Sequence, residues 1–194
     1  TDPCKPSNPY GFSKLAVEQM LEASRSAWEL QYVSLRYFNA GGSTRIHGED
    51  HSPETHLIPI VLDVVSGRRD KFLIFGDDYD TPDGTGVRDY VHVLDLADAH
   101  IKALDYLSAG GDTLAVNVGT GVGSSVMEVI AATAAAAGRS VPYDVAPRRA
   151  GDPTATVADV SLAERTLGWT SQYNLQEIVD SAYAWHHSMV TSSA

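Results

Sequence analysis

The sequence has little cysteine and no long apolar run. Cys4 is its only cysteine, so the chain cannot form a disulfide bond with itself. This is typical of proteins from reducing compartments, and we expect a cytoplasmic location. No window approaches the ~20 apolar residues of a membrane span, which predicts a protein without a membrane partner. The polar, proline-rich first residues do not resemble a signal peptide.

Basic residues are also scarce, with 14 Lys and Arg against 25 Asp and Glu and a formal net charge of -11. This balance disfavours nucleic acid as a partner, because nucleic-acid binding depends on neutralising phosphates. A small molecule that carries phosphate is still compatible, since a few local arginines can override the global field. The 194 residues, 43% of them hydrophobic, are enough for one globular domain, or for one large domain and part of another.

Helical and strand patterns alternate along the chain. Capping pairs three residues apart predict helix starts at Ser125/Glu128, Ser161/Glu164 and Asn174/Glu177. Such alternation predicts an α/β fold. The predicted helices cover 9–28, 56–66, 94–107, 126–137, 161–167 and a last segment after 174, and the predicted strands cover 32–38, 72–75, 90–93, 114–118 and 141–145.

The string Asn8-Pro9-Tyr10-Gly11-Phe12-Ser13-Lys14 holds the first candidate for chemistry. Tyr10 and Lys14 are four residues apart in a predicted helix and therefore share one face. An ammonium group beside a phenol favours the phenolate, so the pair is suited to proton transfer. The alternative is an ordinary surface tyrosine and lysine.

Polar and charged side chains lie at the ends of several predicted strands, and an open α/β sheet binds its ligands beyond the carboxyl ends of its strands. Asn39 follows the 32–38 strand, Arg88 precedes the 90–93 strand, and Arg148, Arg149 and Asp152 follow the 141–145 strand. Guanidinium groups bind phosphate oxygens and a carboxylate accepts hydrogen bonds from sugar hydroxyls, which suits a diphosphate and a ribose. A solvated charged loop is the alternative.

Two further patterns do not predict a site. His47, His51 and His56 are irregularly spaced in a loop without cysteine, so we expect no metal. The glycine-rich run at 119–123 lacks both the lysine of a P-loop and the last glycine of a dinucleotide-binding fingerprint. It predicts a tight turn between a strand and a helix.

Several strings occur together in one order: NPYGFSKLAVEQML, LRYFNAGG, HLIPIVL, IFGDDYDTPDGTGVRDYVHVLDLADAH, NVGTGVGSSVMEVI and APRRAGD. Together they resemble the UDP-glucose 4-epimerase family of extended short-chain dehydrogenases/reductases, up to about Asp159 and more loosely to the last helix. The resemblance implies that residues 1–194 are the C-terminal part of a Rossmann-type α/β domain plus a small mixed α/β substrate-binding lobe. The N-terminal NAD-binding half of the family is missing from this sequence.

The resemblance also implies roles for individual residues. Tyr10 resembles the base that takes the proton of the sugar 4-hydroxyl, and Lys14 resembles the residue that holds the nicotinamide ribose of NAD. Tyr37 and Phe38 match positions near the nicotinamide. The implied contacts to a UDP-sugar are Asn39, His56, Leu57, Leu73, Phe75, Arg88, Arg149, Asp152 and Thr156.

The implied activity of the complete protein is NAD-dependent interconversion of UDP-glucose and UDP-galactose, with a homodimer formed through the 9–28 helix. The chain alone is expected to be inactive. A small residue at Thr156, where some members carry tyrosine, predicts room for UDP-N-acetylhexosamines. The alternatives are a UDP-pentose epimerase and a non-catalytic module that binds UDP-sugars. A dehydratase of the same superfamily is disfavoured by the VRDYVHV run.

Overall fold

The structure is a computed structural model that describes residues 4–6, 8–50 and 52–192, with only the backbone of 190–192. Helices and strands alternate, which confirms the predicted α/β class. The helices are α1 (Pro9–Trp28), α2 (Leu57–Val65), α3 (Val93–Ser108), α4 (Val126–Ala137), α5 (Ser161–Leu167) and α6 (Leu175–Ser192). The strands are β1 (Val33–Tyr37), β2 (Asn39–Gly41), β3 (Phe72–Phe75), β4 (Val87–His92), β5 (Leu114–Val118), β6 (Gly123–Ser125), β7 (Tyr143–Ala146) and β8 (Ala155–Thr156).

Most strand pairs are parallel, as expected where helices connect the strands. β1 pairs with β5, and β3 pairs with β7 in a separate ribbon. β4 is the hub of the remaining sheet. It pairs with β2 along its second half, and with β6 (antiparallel) and β8 (parallel) along its first half.

Two apolar clusters hold these elements together. One joins α2, α4 and α6 to β3 and contains fully buried Val61, Val129 and Ile178. The other joins α3 and α5 to β5 around Trp169, whose indole Nε1 donates to the carbonyl of Asp95 at 3.0 Å. The capping box at Ser125 and the one at Asn174 form as predicted.

Three local predictions are wrong. Asn39–Gly41 lies outside every predicted strand and yet forms β2, because β4 offers a parallel partner. β4 begins at Val87 rather than residue 90, because its first residues pair with both β6 and β8. The Ser161 cap does not form: Ser161 is already helical, and the carboxylate of Asp159 accepts its backbone N–H at 3.1 Å.

A buried polar network fastens α6 to the end of β4. The imidazole of His92 is 1% exposed, accepts the N–H of Leu94 at 3.0 Å through Nδ1 and lies 3.0 Å from the hydroxyl of Ser181 through Nε2. Gly42, with φ of 79°, packs against this ring, and a Cβ there would lie 2.6 Å from it. Burial lowers the pKa of His92 below its ordinary value of 6.5, despite the nearby carboxylates of Asp95 and Glu177.

This network predicts acid sensitivity. Because the pKa of His92 is lower in the folded state, the unfolded state binds more protons below pH 6.5. The free energy of unfolding should therefore be fully retained above that pH and fall as the pH falls through the lowered folded pKa. Burial also lowers the pKa of His186, with the same sign. Urea denaturation between pH ~5 and ~7.5 measures the slope.

His92→Gln should reduce the pH dependence of the free energy of unfolding. The dependence that remains should be the contribution of His186. His47→Gln, at an exposed position, controls for the removal of one imidazole. An unchanged slope in His92→Gln would show that the network is not the source of the acid sensitivity.

Candidate nucleotide-sugar site

Tyr10 and Lys14 lie on one face of the first turns of α1, as the four-residue spacing predicts. The helix begins at the Asn8 cap, whose side-chain oxygen accepts the N–H of Gly11 at 2.8 Å. The ammonium Nζ of Lys14 lies 5.1 Å from the ring centroid of Tyr10, and the Tyr10 side chain is exposed. The ammonium group and the phenol thus lie side by side on one exposed helix face, which is the arrangement that the sequence predicts.

None of the residues of α1 is buried. The helix is held against β1 by polar contacts. Both carboxylate oxygens of Glu18 accept from the guanidinium of Arg36, at 2.7 and 2.5 Å. The same guanidinium holds the pKa of Glu18 below its ordinary value. This forked contact sets the rotation of the helix that carries Tyr10 and Lys14 relative to the strand.

The last residue of β1 and the one after it are the predicted nicotinamide neighbours. The hydroxyl of Tyr37 lies 2.6 Å from Nε2 of His100 on α3, and the two rings meet edge to face. Phe38 is half-buried, and its N–H donates to the carbonyl of Val118 at 3.1 Å. Tyr37 and Phe38 therefore lie at the carboxyl end of β1, where a Rossmann-type sheet binds its cofactor.

A cavity of about 370 Å³ opens between the β3–β7 ribbon, β4 and the start of α2. We call it the strand-end cavity. Three arginines and one aspartate border it, which gives a local charge of +2 on a chain with a net charge of -11. It gathers seven of the nine predicted substrate residues: Asn39, Leu57, Leu73, Phe75, Arg88, Arg149 and Asp152.

The two predicted phosphate-binding arginines are held in different ways. Arg88, half-buried in β4, donates from Nη1 to the carbonyls of Val87 at 2.8 Å and Pro153 at 2.9 Å. The guanidinium of Arg149 stacks on the ring of Phe75, 3.7 Å from its centroid. These contacts limit the rotamers of both side chains before any ligand arrives, which lowers the entropic cost of binding an anion.

Arg148 does not border the strand-end cavity. Its Nε donates to the carboxylate of Asp78 at 2.6 Å, and its guanidinium lies over Tyr79. The aromatic ring and carboxylate take this arginine away from the cavity. Of the adjacent pair, only Arg149 is therefore available to a ligand there.

Tyr90 was missed by the sequence analysis. It borders the cavity two residues after Arg88, and it pairs with Asn39 across the β2–β4 ladder. Burial raises its pKa to about 12, although Arg88 and a hydrogen bond with Asn39 oppose the rise. The hydroxyl is thus a neutral donor at neutral pH. The alternation of a strand starting at Val87 would have revealed it, because residues 88 and 90 share a face.

His56 and Thr156 lie outside the strand-end cavity. His56 borders a second cavity, of about 430 Å³, and its Nδ1 lies 3.1 Å from the carboxylate of Glu54. Thr156 is exposed on β8, opposite Arg88 in the register. Arg88 therefore borders the strand-end cavity, and Thr156 lies on the neighbouring strand, outside it.

Within the described residues, Glu49, Glu54 and His56 bring ligand atoms within 4.8 Å of one another. Of the three histidines weighed as metal ligands, only His56 is in this group, and His51 lies outside the described residues. Glu54 already accepts the backbone N–H groups of Thr55 and His56 at 2.6 Å each. The carboxylate of Glu54 is therefore already engaged by the backbone of its own turn.

The glycine-rich run at 119–123 forms a turn that connects β5 to β6, and β6 then leads into α4. Its backbone N–H groups at Thr120 and Gly121 donate to the carboxylate of Asp89, at 2.7 and 3.0 Å. The loop therefore binds a negative charge, as a phosphate loop does, but that charge belongs to the chain itself.

Parallel strands, connecting helices and a cavity at the strand ends define a Rossmann-type α/β protein. A profile of the family described as GDP-mannose 4,6 dehydratase matches residues 1–182, and the chain belongs to this family. The UDP-glucose 4-epimerase of Streptococcus mutans serotype c is 48% identical over 191 residues, which are 97% of this chain and 57% of that protein. The chain thus spans little more than half of this relative.

Solved structures agree with this assignment. UDP-glucose 4-epimerase from Brucella ovis in complex with NAD has a TM-score of 0.91 at 48% identity, over 94% of this chain and 57% of that one. The enzyme from Bifidobacterium longum in complex with NAD+ and UDP has a TM-score of 0.87 at 43% identity, over 93% and 55%. The resemblance to UDP-glucose 4-epimerases is confirmed.

Within the described part of the chain, no helix combines the length and the apolar character needed to cross a bilayer.

Proposed function

We propose that the complete polypeptide carrying this chain is an NAD-dependent UDP-glucose 4-epimerase, which interconverts UDP-glucose and UDP-galactose. Residues 1–194 would form its C-terminal part, with the Tyr10–Lys14 helix and the UDP-sugar-binding lobe. The observation that carries the proposal is the strand-end cavity, where a locally positive wall gathers seven of the nine residues expected to bind a UDP-sugar.

The cavity suits the parts of a UDP-sugar. Arg88 and Arg149 would bind the diphosphate, because guanidinium groups donate to two phosphate oxygens at once. Asp152 would accept from ribose hydroxyls. The backbone of β3 around Leu73 and Phe75 would face uracil. Tyr90 adds a neutral hydroxyl donor beside Asn39.

The residues present also fit the nicotinamide end of NAD. The Lys14 ammonium and the Tyr10 hydroxyl are accessible on one helix face, and the half-buried ring of Phe38 lies at the end of β1. When bound, NAD supplies the acceptor, and then the donor, of the hydride at C4 of the sugar. Tyr10, Lys14, Tyr37 and Phe38 are the residues of this chain that would hold or face it.

Tyr10 would carry the proton of the sugar 4-hydroxyl during the reaction. Its phenolate oxygen would take the proton of the 4-hydroxyl while C4 is oxidised, and would return it when C4 is reduced from the opposite face. Lys14 would stabilise the phenolate and donate to the nicotinamide ribose. The diphosphate contacts keep UDP in place, so the oxidised sugar can turn over without leaving the site.

The test uses the complete polypeptide with NAD and follows conversion of UDP-galactose to UDP-glucose. UDP-N-acetylglucosamine should also be epimerised, because Thr156 leaves more room than a tyrosine. Turnover of UDP-xylose in preference to UDP-galactose would point to a pentose epimerase. Binding of UDP without any turnover would favour a non-catalytic module and overturn the proposal.

The cytoplasmic location and the homodimer stay predictions. For the dimer, the support is that α1 has no buried residue and exposes Phe12 and Met20, at 59% and 68%. The same face can equally be covered by other parts of a longer chain.

A further inference from the structure

The carboxylate of Asp89 is a buried group that the proposed chemistry does not use. Asp89 is 0% exposed and lies between Arg88 and Tyr90 in β4. Because side chains alternate along a strand, it points away from the face that borders the strand-end cavity. It therefore lies directly behind the wall formed by its two neighbours.

Four donors satisfy this carboxylate. Its Oδ1 accepts the backbone N–H and the hydroxyl of Thr120, both at 2.7 Å. Its Oδ2 accepts the backbone N–H groups of Gly121 at 3.0 Å and Ala158 at 3.1 Å. Hydrogen bonds to an ionised acceptor are stronger than neutral ones, and burial excludes competing water. Asp89 thus ties β4 to two separate segments.

The second of these segments carries β8. Ala155 and Thr156 pair with Val87 and Arg88 over only two residues. The segment is also held at Pro153, whose carbonyl accepts from Arg88 at 2.9 Å. Asp89 holds it on the other side, at Ala158. Thr156 lies between these two anchors, and a two-residue ladder alone would fix it poorly.

We infer that Asp89 is a positioning residue that sets the place of Thr156, which lies outside the strand-end cavity and which the family resemblance assigns to the sugar end of the site. The inference rests on the proposed function, because it concerns the same UDP-sugar site. The uracil end would be built on the β3–β7 ribbon, which is a separate sheet from the one that contains Asp89. Loss of the carboxylate should therefore weaken recognition of the sugar more than recognition of UDP.

The test compares Asp89→Asn with wild type in the complete, NAD-loaded polypeptide. The asparagine NH2 would face backbone N–H donors on one side and cannot accept from them. We expect affinity for UDP-glucose to fall about tenfold relative to affinity for UDP, the equivalent of one charge-assisted bond. The KM for UDP-galactose should rise by a similar factor, with a smaller change in kcat.

Asp95→Asn is the matched control. Asp95 is also buried and accepts two backbone N–H groups, from Gln172 at 3.0 Å and Tyr173 at 3.3 Å, but it does not border the strand-end cavity. It should lower the denaturation midpoint while leaving the ratio of UDP-glucose to UDP affinity at the wild-type value. An equal ratio in both variants would overturn the inference.

A second pair of variants decides the matter if Asp89→Asn does not fold. Thr120→Val removes one donor to Asp89 and should lower the ratio of UDP-glucose affinity to UDP affinity. Thr120→Ser keeps the hydroxyl and should have the wild-type ratio. No difference between the two would contradict the inference. A wild-type polypeptide without epimerase activity would instead overturn the proposed function, which keeps the two failures distinguishable.

Discussion

Replacing Tyr10 by phenylalanine in the complete polypeptide is expected to lower kcat for UDP-galactose by about 10³-fold, within the range that general acid–base groups supply. The phenylalanine ring keeps the shape and exposure of the side chain and removes only the oxygen that would carry the proton. Lys14 Nζ, which lies 5.1 Å from the ring centroid of Tyr10, would then face a ring without a hydroxyl group. The pair could therefore not transfer a proton.

The affinity for UDP should be unchanged in Tyr10→Phe, because the strand-end cavity does not include this residue. Single-turnover reduction of bound NAD, followed by its absorbance, measures the oxidation step directly. Tyr106→Phe, a half-buried tyrosine on α3, is the matched control. If Tyr10→Phe interconverted the two sugars at the wild-type rate, the role of the α1 pair would be wrong.

Replacing Arg88 by alanine should raise the Kd for UDP by about 10²-fold, since truncating a charged hydrogen-bonding partner of a buried anion commonly costs that much or more. Arg88 is also expected to be irreplaceable by lysine. A lysine cannot hold the Pro153 carbonyl and a phosphate oxygen with one rigid fork. Arg88→Lys should therefore recover only part of the affinity.

Isothermal titration with UDP measures this loss, and Arg165→Ala, an exposed arginine on α5, is the control for charge alone. The kcat at saturating UDP-galactose should change much less than the KM, because the contact is present in both ground and transition states. Wild-type affinity in Arg88→Ala would place the diphosphate elsewhere.

The sequence predicted the helices well, because their signals are local. The spacing of Tyr10 and Lys14 and the capping box at Ser125 depend on residues three or four apart, and the structure has both. The Ser161 cap failed because a neighbouring carboxylate, Asp159, competes for the same N–H. The capping pattern of Ser161 and Glu164 does not reveal such a competing acceptor, so the sequence did not predict it.

The short strands could not be predicted, because their partners are distant in the sequence. β2 and β8 have three and two residues, and each exists through pairing with β4. The error at the start of β4 then hid Tyr90, since the alternation with Arg88 was not visible. Resemblance to the family supplied most of the cavity residues, but not that Arg148 turns away to Asp78.

The two faces of β4 have consequences for protein engineering. Arg88 and Tyr90 look into an open volume, whereas Asp89 and Val91 are sealed inside. Substitutions at Arg88, which is only half-buried, can retune which nucleotide is accepted. Tyr90 and His92 lie on the same face but are 6% and 1% exposed, so changes there, like changes at Asp89 and Val91, would have to be compensated by new partners. A library aimed at altered specificity should therefore randomise residue 88 and keep the rest of this strand.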